Sequence, residues 1–273
     1  MKKNRCIICK NSESLQLIKW KNFNVIECHK CHLNFCEIME IKEGNSSPVN
    51  QAGINMMAKS FFETKKLAHD YAEKRLHIYN NLLERKCENI LDIGCGPAVF
   101  YKPYQKLNIK WTGIEVSPYW IEFGKKNSLP IHNIDIKKIK KKYDVITAHQ
   151  VLEHVEDPNK FLNDIYKILR PGGILHLELP NNLSLTSTLR KISPTIFYDY
   201  GFIQPPMHMR AYSFKTIETL FKIHFLQTKN IFSCSNNHSI WGQVRNYSNF
   251  QKFFYGLTGF FGKGSLLVGI AKK

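Results

Sequence analysis

The chain has 273 residues and 31.9 kDa, which allows one to two domains and a sizeable core and excludes a disulfide miniprotein. With 43% hydrophobic, 22% charged and 12% aromatic residues and a mean hydropathy of −0.31, it is neither wholly disordered nor collagen-like. The net charge is +17, and residues 181–273 alone carry 11 basic and 2 acidic side chains, a field suited to nucleotide phosphates, RNA or anionic lipid, or to a lysine-rich solvated surface.

The opening MKKNRCIICKNSE has neither the apolar run nor the cleavage site of an export signal, so a cytoplasmic address is expected. A transmembrane span is not expected either. The one apolar stretch, Phe253 to Ile270, is interrupted by Lys263 and five glycines, which leaves a peripheral lipid contact open. In a reducing compartment the eight cysteines read as metal ligands, packing residues or catalysts rather than a disulfide framework.

Residues 1–40 hold two CxxC pairs, Cys6 with Cys9 and Cys28 with Cys31, separated by eighteen residues. Two such thiolate knuckles complete a tetrahedron, so this segment is expected to be a zinc ribbon whose four-thiolate shell folds a small module and leaves no open coordination position. His29, His32 and Cys36 lie nearby as spare ligands, and Cys87 and Cys234 read as packing residues. Residues 41–85 read as a polar linker, IKEGNSSPVN, followed by bridging helices in which Met57, Phe61, Leu67, Tyr71, Leu76, Tyr79 and Leu83 recur at roughly helical spacing.

From residue 86 to 273, apolar runs alternate with helical patterns. Strands are predicted near 89–93, 110–115, 130–134, 143–148 and 173–179, and helices near 97–107, 117–127 and 158–169. That order predicts a parallel sheet covered on both faces. After an insertion at about 181–212, a helix near 213–224 and strands near 225–233 and 265–273 follow.

ILDIGCGPAVF ends the first of these strands in a glycine loop. Gly94 and Gly96 allow a tight turn and close approach of a ligand, and Glu115, nineteen residues after Gly96, is placed for two ribose hydroxyls. A dinucleotide fingerprint would need glycine where the chain has Val99, so pyrophosphate binding is disfavoured.

LDIGCGPA, Glu115, YDVITAHQVLEHVEDP and LRPGG together resemble class I S-adenosylmethionine-dependent methyltransferases. The resemblance implies a Rossmann-like α/β fold with a seven-stranded sheet, an antiparallel last hairpin and a cofactor over the strands' carboxyl ends. It puts Asp92, Gly94 and Gly96 beside the methionine moiety, Glu115 at the ribose, Asp135 at the adenine, and His149 and Gln150 next to the cofactor, with Cys95, Val116 and Ile136 as further cofactor-binding residues. Ala98 stands where many members have glycine, and an altered loop geometry is expected there. The zinc-ribbon fusion resembles bacterial methyltransferases of sugar and polysaccharide pathways, a plan shared by zinc-bearing ribosomal RNA guanine methyltransferases.

Transfer from a sulfonium is an in-line displacement, and a hydroxyl or carbon-acid acceptor needs proton removal as well. His154 in VLEHV is the candidate base, with Glu153 assisting as the resemblance implies, and His208 in the insertion is a second base, a substrate ligand or a lid residue. Tyr198, Tyr200 and Arg210 are candidates to hold a sugar or phosphate, while the aromatic run 250–261 reads as core or lid. Three functions follow: methylation of a small anionic acceptor such as a nucleotide-linked sugar, methylation of RNA through the basic last third, and a binding module whose α/β part senses cofactor without turnover.

Overall fold

The computed structural model describes residues 5–21, 23–36, 58, 61–193, 196–197, 199–205, 207–234 and 263–273. The linker at 41–50, Tyr198 and the aromatic run 250–261 lie outside the described residues.

Strands β1 (Leu15–Trp20), β2 (Phe23–Cys28) and β3 (Asn34–Cys36) follow from a hairpin that pairs Leu15 with Cys28 and Trp20 with Phe23, then Val25 with Cys36. Helix α1 (Lys65–Leu83) comes next. Its buried stripe is Ala68, Ala72, Arg75, Tyr79 and Leu83, which keeps Tyr79 and Leu83 of the apolar pattern in the sequence and replaces Leu67, Tyr71 and Leu76 by their neighbours; two alanines let the helix lie close to the sheet and an arginine occupies a fully buried position.

The large sheet contains β4 (Asn89–Ile93), β5 (Lys110–Ile114), β6 (Ile131–His132), β7 (Tyr143–His149), β8 (Leu169–Pro180), β10 (Gln227–Cys234) and β11 (Leu266–Lys272). Its order is β10-β11-β8-β7-β4-β5-β6, with β11 antiparallel to both neighbours and the remaining pairings parallel. All five residues of β4 are buried, as expected for a central strand covered on both faces. On one face, α4 (Pro158–Ile168) buries Leu162, Ile165 and Ile168 and α6 (Phe214–Ile223) buries Ile217, Leu220 and Phe221. On the other face lie α1 and α2 (Tyr101–Lys106), with α3 (Pro118–Lys126) beside β6. Caps fix the helix starts: the Asp157 carboxylate accepts from the Lys160 N–H at 3.1 Å, and Ser213 and Thr216 cap each other reciprocally.

Two elements differ from the sequence pattern. The helix expected from residue 97 begins only at Tyr101, because Ala98 adopts a left-handed conformation (φ 55°) and residues 97–100 form turns. The insertion contains α5 (Leu185–Arg190) and a two-residue strand, β9 (Arg210–Ala211), which joins the amino-terminal sheet by pairing Asn34 with Ala211 and Phe35 with Arg210. That sheet therefore has the order β1-β2-β3-β9, and Cys6, Ile8, Ile26, Cys28, Cys31, Leu33 and Phe35 share one core with Leu152, Leu162, Tyr212 and Phe221. Among the described residues no helix is long and apolar enough to cross a membrane.

Candidate active site and cysteine centre

The glycine loop leaves β4 at the carboxyl edge of the sheet. Gly94 and Gly96 both have positive φ (65° and 50°), and a Cβ on Gly94 would lie 2.5 Å from a methyl of Val151, so the loop packs directly against the turn after β7. The N–H groups of Gly94 and Cys95 donate to the carbonyl of Ile114 at 2.8 and 3.2 Å. Glu115 ties the loop to the next βα turn: its carboxylate accepts from the N–H groups of Gly96 (2.9 Å), Val116 (2.8 Å) and Ser117 (3.0 Å). A carboxylate has about four acceptor positions, so one remains for a ligand hydroxyl. Val116 next to it is 83% exposed, an apolar side chain open to a planar ring. Asp135 caps the short 3-10 turn 136–138 through Oδ1, which accepts from the Lys137 N–H at 3.0 Å, and its Oδ2 lies 4.0 Å from Lys137 Nζ; Ile136 beside it is half-buried.

Beneath the loop lies a buried polar network that pattern reading missed. Arg75 of α1 donates to Glu178 Oε1 at 3.0 Å and lies over the Phe100 ring at 4.6 Å. His176 Nε2 is 3.0 Å and His149 Nε2 3.7 Å from the same oxygen, and Tyr79 Oη is 2.7 Å from His176 Nδ1. Asp92 is buried and accepts from the Thr147 hydroxyl at 2.8 Å. Burial opposes ionisation of Glu178, but His149, the Arg75 guanidinium and the His176 hydrogen bond outweigh it and hold the carboxyl below the usual range. Burial lowers His149 to about 4 and lowers His176, so both imidazoles are neutral near pH 7. Gln150, with φ 55°, turns the chain out of β7, and its N–H donates to the Glu178 carbonyl at 2.7 Å. The signal in the sequence was Arg75 on the same helical stripe as Ala72 and Tyr79, opposite a strand carrying His176 and Glu178.

The turn after β7 holds Glu153 and His154, and the insertion brings His208 to them. The ligating atoms of the three lie within 4.8 Å of one another, and the two imidazole rings are 4.7 Å apart. His154 Nδ1 donates to the Met207 carbonyl at 2.9 Å, which fixes the tautomer and leaves Nε2 as the proton acceptor. Glu153 is 1% exposed, and neither carboxyl oxygen has a hydrogen-bond partner among the described residues; burial pushes its pKa up to about 8, so it is a neutral acid. Burial, then the neighbouring His154, lowers His208 to about 4. Thus a backbone carbonyl, and not the Glu153 carboxylate, orients His154. Tyr200 is buried edge-on against Trp20 at 5.1 Å, and Arg210 points away from a ligand-holding role, toward the carbonyls of Val155 and Glu156.

The four cysteines of the CxxC pairs converge. All four Sγ atoms lie within 4.8 Å of one another, with Cys6–Cys31 at 3.5 Å and Cys9–Cys28 at 3.6 Å. A tetrahedral zinc with bonds of about 2.3 Å has sulfur–sulfur edges of about 3.8 Å, so the donor set and its spacing fit that ion. The hydrogen bond from Cys31 draws Cys6 down to about 5, and the same contact pushes Cys31 up. His29 turns instead to Gln16, at 3.1 Å, and Cys36 pairs through its backbone in β3.

The chain is similar to known methyltransferases. The mitochondrial ubiquinone biosynthesis O-methyltransferase of Schizosaccharomyces pombe is 29% identical over 174 residues, covering 57% of this chain and 62% of that one. The ubiquinone biosynthesis O-methyltransferase of Pelagibacter ubique is 35% identical over 100 residues (34% and 42% of the two chains), and a malonyl-[acyl-carrier protein] O-methyltransferase of Ilyobacter polytropus is 23% identical over 163 residues (54% and 61%). The chain thus spans less than two thirds of the length of these relatives. Among solved structures, an S-adenosylmethionine-dependent methyltransferase from Archaeoglobus fulgidus matches with a TM-score of 0.53 at 18% identity, covering 80% of this chain and 99% of that one. The plantazolicin methyltransferase in complex with a monoazolic desmethylplantazolicin analogue and S-adenosylhomocysteine matches with a TM-score of 0.55 at 22% identity, covering 82% of this chain and 90% of that one. These structural likenesses establish the fold. A family model described as a methyltransferase domain matches residues 64–224, from the start of α1 through the glycine loop, the His154 turn and α6, and the chain belongs to that methyltransferase family.

Proposed function

We propose that the chain transfers a methyl group from S-adenosylmethionine to a small, anionic acceptor at oxygen or carbon, with a nucleotide-linked sugar or polysaccharide precursor as the acceptor class. The observation that carries this reading is His154, held by the Met207 carbonyl with Nε2 left free, on the turn that packs against the glycine loop. The relatives quoted above are named as O-methyltransferases, which favours oxygen. The 11 basic and 2 acidic residues of positions 181–273 favour an anion.

Asp92, Gly94, Cys95, Gly96, His149 and Gln150 would hold the methionine end of the cofactor, Glu115 the ribose, and Val116, Asp135 and Ile136 the adenine. When bound, the cofactor supplies an electrophilic methyl on a sulfonium. His154 Nε2 accepts the acceptor's proton as the new bond forms, and the neutral His208 beside it adds no competing cation. Cys6, Cys9, Cys28 and Cys31 would bind a structural zinc whose closed shell takes no part in the transfer. The eight free cysteines suit a reducing compartment such as the cytoplasm. The RNA and lipid-surface readings rest on net charge alone, and no arrangement of the described residues adds to them.

The test is incubation with methyl-labelled S-adenosylmethionine and an extract of the source cells, followed by fractionation. Label is expected in the small-molecule fraction, with His154→Ala reducing turnover by about 10²- to 10⁴-fold. Ribonuclease-sensitive label would overturn the acceptor class, and label in no fraction would leave the cofactor-sensing module as the better reading.

A further inference from the structure

We propose that Arg210 is a positioning residue that clasps the Glu153–His154 turn to the cysteine module, so that the placement of the proposed base depends on that module. This rests on the reading of His154 given above.

The turn at 151–156 has little internal support. Its own backbone bonds are His154 N–H to the Val151 carbonyl at 2.9 Å and Val155 N–H to the Leu152 carbonyl at 3.3 Å. Three of its carbonyls, those of Leu152, Val155 and Glu156, accept from side chains of residues 210–212. The Arg210 guanidinium donates through Nη1 to Val155 and through Nη2 to Glu156 (2.6 Å), and the Tyr212 hydroxyl donates to Leu152 at 3.0 Å. In the opposite sense, the Met207 carbonyl accepts from His154 Nδ1. A planar fork that meets two successive carbonyls fixes orientation as well as distance, which a lysine ammonium cannot do.

The same short segment is a strand of the cysteine module. Arg210 pairs with Phe35 and Ala211 with Asn34, and the Cys36 N–H donates to the Met209 carbonyl at 2.9 Å. Within residues 207–212, Met209, Arg210 and Ala211 bond to the module and Met207, Arg210 and Tyr212 bond to the turn that carries the base. Each cysteine knuckle has a further tie. Asn159, in the first turn of α4 just after the His154 turn, donates to the Ile7 carbonyl between Cys6 and Cys9 at 2.6 Å. Thr216, in the first turn of α6 just after β9, donates to the Cys31 carbonyl at 2.8 Å. The knuckles that would enclose the metal are thus bonded to the helix that follows His154 and to the helix that follows His208, and Arg210 closes the circuit between them.

The experiment uses the full chain loaded with zinc, its Arg210→Ala and Arg210→Lys variants, and the unsubstituted chain treated with a chelator. Amide hydrogen exchange is read across residues 152–156, alongside bound zinc, affinity for S-adenosylhomocysteine and the split between kcat and KM. In both variants exchange at 152–156 should rise by about tenfold or more and kcat should fall by about 10- to 100-fold. Zinc content and S-adenosylhomocysteine affinity should stay within about twofold, since neither ligand set includes Arg210. Chelation should speed exchange in the same amides. Unchanged exchange there in Arg210→Ala would overturn the proposal, as would an increase spread evenly over β4, β7 and β8, which reports only lost stability. The exchange measurement needs no acceptor, so it decides the role of Arg210 even where the transfer reaction fails to appear.

Discussion

Glu153→Gln should stabilise the protein, and increasingly so as pH rises. The Glu153 carboxyl is 1% exposed, has no hydrogen-bond partner among the described residues, and is pushed by burial from 4.5 to about 8. Between those two values the unfolded chain has released the proton while the folded chain keeps it, so folding takes up a proton and stability falls with rising pH. The contribution is unpenalised below 4.5 and reaches its full cost above 8. At pH 7 the gap of about 2.5 units corresponds to about 3 kcal/mol, and at pH 9 to about 5 kcal/mol. Glutamine keeps the shape and does not titrate; whatever its amide costs by being buried is the same at every pH. Urea unfolding of both proteins at pH 5.5, 6.5, 7.5 and 8.5, with m constant, should therefore show the difference growing by about 1.4 kcal/mol per unit up to pH 8. Parallel curves, differing by a constant offset, would mean that Glu153 is ionised in the fold and would refute the reasoning.

Arg75→Met should cost about 3–5 kcal/mol by stranding the buried Glu178 carboxylate, and the double variant Arg75→Met/Glu178→Leu should recover most of it. At about 2.1 cal/mol/K for each of 273 residues, the single change lowers Tm by about 5–9 °C in a calorimetric scan; a shift below about 2 °C would show that Glu178 keeps its charge without the guanidinium. Gly94→Ala combines a positive φ of 65° with a 2.5 Å approach to Val151, and calorimetry should show loss of S-adenosylhomocysteine affinity because the loop and the His154 turn must part. Cys28→Ser with Cys31→Ser should release the bound zinc measured by atomic absorption; retained metal would place it elsewhere.

The parallel sheet was legible because its strands are short apolar runs set off by a glycine loop, a proline-led helix and LRPGG, all local signals. The cysteine cluster was legible from spacing, since a CxxC knuckle is itself local. Other features were not. The two-residue β9 has no period to read, and its partner Phe35 is 175 positions away in the chain. The stripe of α1 was read correctly at Tyr79 and Leu83 but at Leu76 in place of Arg75, because a charged residue is not expected on a buried face and only the strand opposite, with Glu178, makes that position tolerable. Arg210 looked like an anion ligand because a sequence gives its charge and not the two carbonyls that take up its donors.

Glu153 and Glu178 show how the fold sets charge at this site. Both are 1% exposed glutamates near the carboxyl ends of adjacent strands, yet one is a neutral acid and the other a carboxylate. The difference is a cation: Arg75 lies 3.0 Å from Glu178, while Glu153 faces two imidazoles, of which His208 is held neutral. Arg75 alone would repel a sulfonium, but paired with Glu178 it presents no net charge, and Asp92 adds a group that burial shifts toward neutrality. On the acceptor side Glu153 is protonated and Asp199, which acts on His208, is paired with Arg190, so neither is an uncompensated anion that would repel a phosphate. A base that must take a proton from a hydroxyl beside a cationic methyl donor needs such a neighbourhood: an imidazole whose Nδ1 is held at the Met207 carbonyl, His154, beside a Glu153 that keeps its own proton.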